Sequence, residues 1–95
     1  MASLLVDSHC HLDFPEFAED LDGVMARAAA AGIGMCVTIC TRLSKFDQVL
    51  AVAERFDNVY CSVGVHPHEA ESEGQRTADR LIGLAAHPKV VGIGE

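Results

Sequence analysis

Positive charge is scarce in this sequence. Seven lysines and arginines stand against fourteen aspartates and glutamates, giving a formal net charge of −7. That balance is the opposite of the basic footprint with which nonspecific nucleic-acid binders displace counterions, so any phosphate ligand must be held locally. A bound divalent cation does this, because it is often the largest charge in its site and turns repulsion of anions into attraction. The start, Met1-Ala2-Ser3-Leu4-Leu5-Val6-Asp7, lacks a basic region and places an acid directly after a short apolar run. It reads as neither a signal peptide nor a membrane span, which predicts a cytoplasmic protein without a membrane partner. No Cys-x-x-Cys pair occurs among Cys10, Cys36, Cys40 and Cys61. Three of these cysteines fall inside apolar runs, so buried free thiols are expected rather than disulfides or a thiolate metal site.

What is present suffices for one small domain or a piece of one: 95 residues, 49% hydrophobic, with an ordinary charged fraction of 22%. Leu4-Leu5-Val6 reads as a short buried strand ending at Asp7 and feeding a polar loop that carries His9, His11, Asp13 and Pro15. Leu21, Val24, Met25, Ala28 and Ala29 recur at helical spacing, and Gly32 supplies a left-handed closing residue. A second strand is expected at Met35-Cys36-Val37-Thr38-Ile39-Cys40 and a second helix on the stripe Phe46, Val49, Leu50, Ala53 and Phe56. Asp57-Asn58 breaks that helix before a third strand, Val59-Tyr60-Cys61-Ser62-Val63. Thr77 is the candidate cap of a third helix that buries Leu81, Leu84 and Ala85 and stops near His87-Pro88. Val90-Val91-Gly92-Ile93-Gly94-Glu95 is the fourth strand.

The strand midpoints lie near residues 5, 37, 61 and 92, a repeat of about thirty residues that suits a strand plus a crossover helix. No repeated sequence accompanies it. Alternating strands and helices imply a parallel sheet, and near-continuous apolar strands imply that both of its faces are covered. No Gly-x-Gly-x-x-Gly follows the first strand, which disfavours the dinucleotide-binding open sheet. The fold class expected is α/β, the first half of a (β/α)8 TIM barrel with four parallel strands and three helices. Because a full barrel takes roughly 250 residues, residues 1–95 read as the amino-terminal segment of a single barrel domain.

Catalytic residues of such barrels come from the carboxyl ends of the strands. Those ends carry His9-Cys10-His11, Thr41-Arg42, His66-Pro67-His68 and Glu95, so four of the five histidines fall at two of them. His9 and His11 are two apart, and in extended chain both imidazoles reach one face and one ion; the plainer reading is a pair of solvent-facing loop histidines. Asp7 has two open readings, as the acceptor that orients a ligand histidine or as a strand-end turn residue. Asp13 and Glu16 read as solvated loop acids. Pro67 restricts the backbone between His66 and His68, holding both rings near the rim as hydrogen-bond donors to phosphate oxygens; the alternative is packing over the barrel end. Arg42 is a weaker phosphate candidate. His87 lies at the opposite end of the fourth strand and reads as a helix-terminus residue.

Asp7-Ser8-His9-Cys10-His11-Leu12-Asp13, Gly64-Val65-His66-Pro67-His68 and Gly92-Ile93-Gly94-Glu95 resemble, in order and spacing, the first three signatures of the TatD family of metal-dependent deoxyribonucleases. The resemblance spans the chain. It implies an eight-stranded barrel with two divalent ions (zinc, manganese or magnesium), with His9 and His11 on the first and Glu95 bridging both as its catalytic contribution. It also implies that His66 and His68 face the substrate phosphate of DNA or another phosphodiester, hydrolysed in the manner of a 3′-5′ exonuclease. The family's remaining ligands, two histidines and an aspartate on later strands, and the general base have no counterpart in these residues, so the chain alone is expected to be inactive.

Other His-x-His barrels compete with that reading. A two-metal amidohydrolase often uses a carboxylated lysine as its bridge, but Lys89 begins its strand at the wrong end, and a histidinol-phosphatase-like barrel lacks the Gly-x-His-Pro-His run. A reading of another class is a non-catalytic half-barrel that self-associates through exposed sheet edges at the first and fourth strands.

Overall fold

The computed structural model describes residues 4–73 and 78–95. Four strands, β1 (Leu5–Cys10), β2 (Ile33–Thr38), β3 (Val59–Val63) and β4 (Val90–Ile93), alternate with helices α1 (Leu21–Ala30), α2 (Phe46–Arg55) and α3 (Ala78–Ala85). All neighbouring strands are parallel and stand in the order β1-β2-β3-β4. A doubly wound sheet reverses its strand order at a switch point. Here each strand is laid beside its predecessor, which is the wall of a barrel, open between β1 and β4.

The three helical stripes expected from the sequence are used. Phe46, Val49 and Ala53 of α2 are buried against β3, whose Val59, Cys61 and Val63 are fully enclosed. Each such valine or phenylalanine contributes about 1.5–3 kcal/mol relative to exposure. Leu21 and Met25 of α1 join the same core, and Leu81, Leu84 and Ala85 of α3 pack at its margin. Gly32 closes α1 with φ 96°, as the sequence suggests. The expected cap Thr77 lies outside the described residues.

Alternation divides the sheet into two faces. One, with Cys36, Cys61 and Val63, meets the helices. The other bears Met35, Val91 and Ile93, and the last two are 57% and 60% exposed. The expectation that both faces are covered therefore fails within these residues. Apolar strands here mark the lining of a barrel, and that lining needs a facing wall. Edge strand β1 is likewise uncovered, with Leu5 and Val6 each 59% exposed.

Strand boundaries also shift. β1 does not stop at Asp7 but runs to Cys10, because Cys10 pairs with Thr38 and its carbonyl accepts the Ile39 amide at 2.8 Å. β2 begins and ends two residues early relative to the apolar run. Each of the first three strands is followed by a short 3-10 turn, Pro15–Phe17, Leu43–Lys45 and Pro67–Glu69, that the apolar pattern did not reveal.

The cysteines are all free, as expected, with Cys36, Cys40 and Cys61 buried. Burial pushes the Cys61 thiol up to about 11 and that of Cys10 to about 12, Asp7 adding to the latter. These thiols stay protonated and unreactive at neutral pH.

Candidate active site at the carboxyl ends of the strands

Two buried hydroxyls inside apolar strands hang the site loops. Thr38 Oγ1 accepts the Leu12 amide at 3.1 Å, fixing the loop after β1, and Ser62 Oγ accepts the Cys40 amide at 3.2 Å, fixing the chain after β2. Both side chains are buried, where an unpaired hydroxyl is costly. The signal was present in Met35–Cys40 and Val59–Val63 as a lone polar residue in each run. The third loop is held by the His66 amide donating to the Thr41 carbonyl at 2.8 Å.

These ties bring His9, His11, His66, His68 and Glu95 around one cleft of about 380 Å³, with Phe14, Thr41 and Glu69 completing its walls. The His9 and His11 rings stand edge to face with centroids 5.2 Å apart. His11 also stacks on Phe14 at 4.5 Å and 15°, which fixes its plane. Nδ1 of His11 is buried and has no partner among the described residues. A buried polar atom of this kind is normally satisfied by something bound. Asp7 lies inside β1 and not at a strand-end turn, and its carboxylate accepts the His9 main-chain amide at 3.2 Å.

The second pair is built differently. Nδ1 of His66 accepts the His68 amide at 3.0 Å. In the neutral ring that leaves the proton on Nε2, and Nε2 points at Glu95 Oε1 from 3.6 Å. That tautomer makes His66 Nε2 a hydrogen-bond donor on the cleft side. The His68 ring lies 4.8 Å from it and is exposed.

Glu95 reaches this cleft because β3 and β4 close tightly at their ends. The Gly94 amide donates to the Val63 carbonyl at 2.8 Å. A Cβ on Gly64 would come within 2.6 Å of the Gly94 carbonyl oxygen, and Gly94 itself has φ 141°. The Gly-rich signature therefore works as a pair of close backbones.

Asp13 departs from its expected role as a solvated acid. The 3-10 turn after it folds the loop back, leaving Oδ1 buried with no partner among the described residues, and burial holds its carboxyl above the usual range despite His11 nearby. Glu16 is exposed as expected. Arg42 is oriented by Glu69, Nε to Oε2 at 2.9 Å. His87 sits away from the cleft, its Nδ1 accepting the Lys89 amide and its Nε2 3.6 Å from Glu54. Lys89 is occupied at the amino end of β4, donating to the carbonyls of Phe56 and Asp57 and lying over the Tyr60 ring.

The donor set of two imidazoles and a carboxylate suits a borderline divalent ion, and the orphaned His11 nitrogen fits one. Among the described residues, however, no three histidine, cysteine, aspartate or glutamate side chains converge closely enough to hold an ion by themselves. The cleft offers part of a coordination sphere.

Residues 6–95 match the family described as TatD related DNase. The chain is 37% identical over 97 residues to the uncharacterized metal-dependent hydrolase YjjV of Escherichia coli K12, covering 100% of this chain and 38% of that protein. It is 40% identical over 91 residues to the 3′-5′ ssDNA/RNA exonuclease TatD of Enterobacter lignolyticus, covering 96% and 35%. The crystal structure of the E. coli YjjV, a TatD homolog, superposes with a TM-score of 0.77 at 33% identity, over 96% of this chain and 36% of that one. The chain therefore spans little more than a third of the length of these relatives. The sequence match, the superposition and the barrel-wall strand order agree: the chain belongs to the TatD related DNase family.

Proposed function

We propose that this chain supplies the four-strand portion of a metal-dependent nuclease site that hydrolyses phosphodiester bonds from the 3′ end of single-stranded DNA or RNA. The observation that carries the reading is the gathering of His9, His11, His66, His68 and Glu95 around one cleft at the carboxyl ends of three strands. His9, His11 and Glu95 would hold the divalent ions, zinc, manganese or magnesium, with Glu95 as the carboxylate shared between them. When bound, such ions supply Lewis acidity to a phosphoryl oxygen and neutralise charge developing on the leaving oxygen. His66 donates from Nε2 to a non-bridging phosphate oxygen, and His68 adds a second donor at the rim. Further ligands and the general base come from outside these 95 residues, so turnover is not expected of the chain alone. Four free cysteines support a reducing, cytoplasmic setting. Among the described residues no helix is long and apolar enough to cross a membrane.

The test is binding of a fluorescent oligothymidylate followed by anisotropy. Binding should appear on adding Mn²⁺, vanish with EDTA, and weaken at least tenfold when His66 and His68 are both alanine. Binding indifferent to the ion and to both histidines would sink the proposal.

A second reading, that the chain pairs with a copy of itself, is favoured by the uncovered sheet face and the edge strands β1 and β4. Light scattering should then show a dimer or larger species that Ile93→Lys converts toward monomer. A wild-type monomer at the same concentration contradicts it.

A further inference from the structure

A second cleft, of about 420 Å³, adjoins the histidine cleft and shares Phe14, Thr41 and Glu69 with it as common walls. We propose that it is a subsite for the nucleotide next to the one attacked, with the base stacked on Phe14 and the intervening phosphate held by Arg42 and Lys45. This deepens the nuclease reading above and rests on it.

Three observations point to this occupant. Phe14 lines both clefts while His11 covers one face of its ring at 4.5 Å, and the side chain remains 37% exposed. An exposed aromatic face beside a phosphate-handling cleft is what single-strand binders use, because every base has a face to stack. Arg42 is held through Nε by Glu69, which leaves the outer edge of the guanidinium, two amino groups in a rigid fork, as the part available to a phosphate. Finally, the wall bearing Arg42 and Lys45 is a built feature. Both oxygens of Glu73 are used on Ser44, accepting its amide at 2.8 Å and its hydroxyl at 2.9 Å, so the loop after β3 clamps the 3-10 turn Leu43–Lys45. That clamp makes Glu73 a positioning residue for the cleft, and those hydrogen bonds hold its carboxyl below the usual range.

Asp13 and Glu69 also line this cleft and offset its two cations. Attraction by net field is therefore small, and recognition must come from stacking and from the guanidinium fork. That distinguishes the subsite from a basic groove, and it fits a chain of net charge −7.

The experiment is calorimetric titration of the 95-residue chain in Mn²⁺ with thymidine 5′-monophosphate and with the dinucleotide pTpT. The dinucleotide should bind about tenfold tighter than the mononucleotide, the scale of one added stacking contact. Phe14→Leu should bring the ratio near one, Phe14→Tyr should retain it, and Lys45→Gln should reduce it. Melting curves establish that each variant is folded, and the wild-type ratio stands as a test without any variant. Equal affinities for the two ligands overturn the subsite but leave the nuclease reading standing. Binding of neither ligand overturns both.

Discussion

His11→Ala lowers the affinity of the chain for Zn²⁺ or Mn²⁺ at least tenfold, and metal recovered with the protein after gel filtration falls with it. The expectation follows from the ring's surroundings. His11 is locked by the Phe14 stack and presents a buried nitrogen with no partner among the described residues, whereas His9 is exposed, with an edge-to-face contact to His11 and a main-chain hydrogen bond to Asp7. A pre-set ligand loses less freedom on binding than a mobile one, so removing His11 should cost more than removing His9. Since substitution also deletes a ring contact worth about 0.5–1.5 kcal/mol, His11→Phe serves as the control that keeps the stack and removes the nitrogen. It should lose metal equally. Equal metal content in wild type and both variants would exclude His11 as a ligand, and no metal in any of them would show that the partial sphere is too weak without further ligands.

Gly64→Ala should be among the most damaging substitutions that leave the histidines and Glu95 in place. The added methyl would meet Gly94 O at 2.6 Å, C at 2.8 Å and Cα at 3.1 Å. All three are main-chain atoms, so no side-chain rotation relieves the clash. Overpacking of this kind costs about 1–3 kcal/mol, which in a domain of this size lowers Tm by roughly 4–8 °C per kcal/mol. The functional loss should exceed the stability loss, because separating β3 from β4 breaks the Gly94 amide to Val63 carbonyl bond and carries Glu95 away from His66. Thermal melting checks the first effect, and the ring resonances of His66 check the second. An unchanged His66 signal in a folded variant would show that the strand ends are not what places Glu95.

Much of this was readable from residues alone. Hydrophobic period located all four strands and three helices, and the placement of four histidines at strand ends located the cleft. The bulk of the site's support was not. Glu73 and Ser44 are 29 positions apart, and so unrelated in any local pattern, yet they fix the wall beside Arg42. Asp13 looked like a loop acid because its burial depends on a 3-10 turn that local apolar pattern does not encode. Coverage of the sheet was misjudged for a related reason. Apolar strands report that a face shuns water, and carry no information about which chain segment will shield it. Candidate metal ligands could be named from spacing and from the family resemblance, but whether they meet at one ion depends on groups that spacing within these residues does not contain.

The two hydroxyl hooks have a dynamic consequence. Thr38 of β2 holds the loop that follows β1, and Ser62 of β3 holds the chain that follows β2. Each loop is thus anchored not to its own strand but to the next one. Amide hydrogen exchange at Leu12 and Cys40 should then follow the slow exchange of the strands and not the fast exchange of surface loops. The cleft would come apart only when adjacent strands part, so its geometry and the sheet's integrity form one cooperative unit.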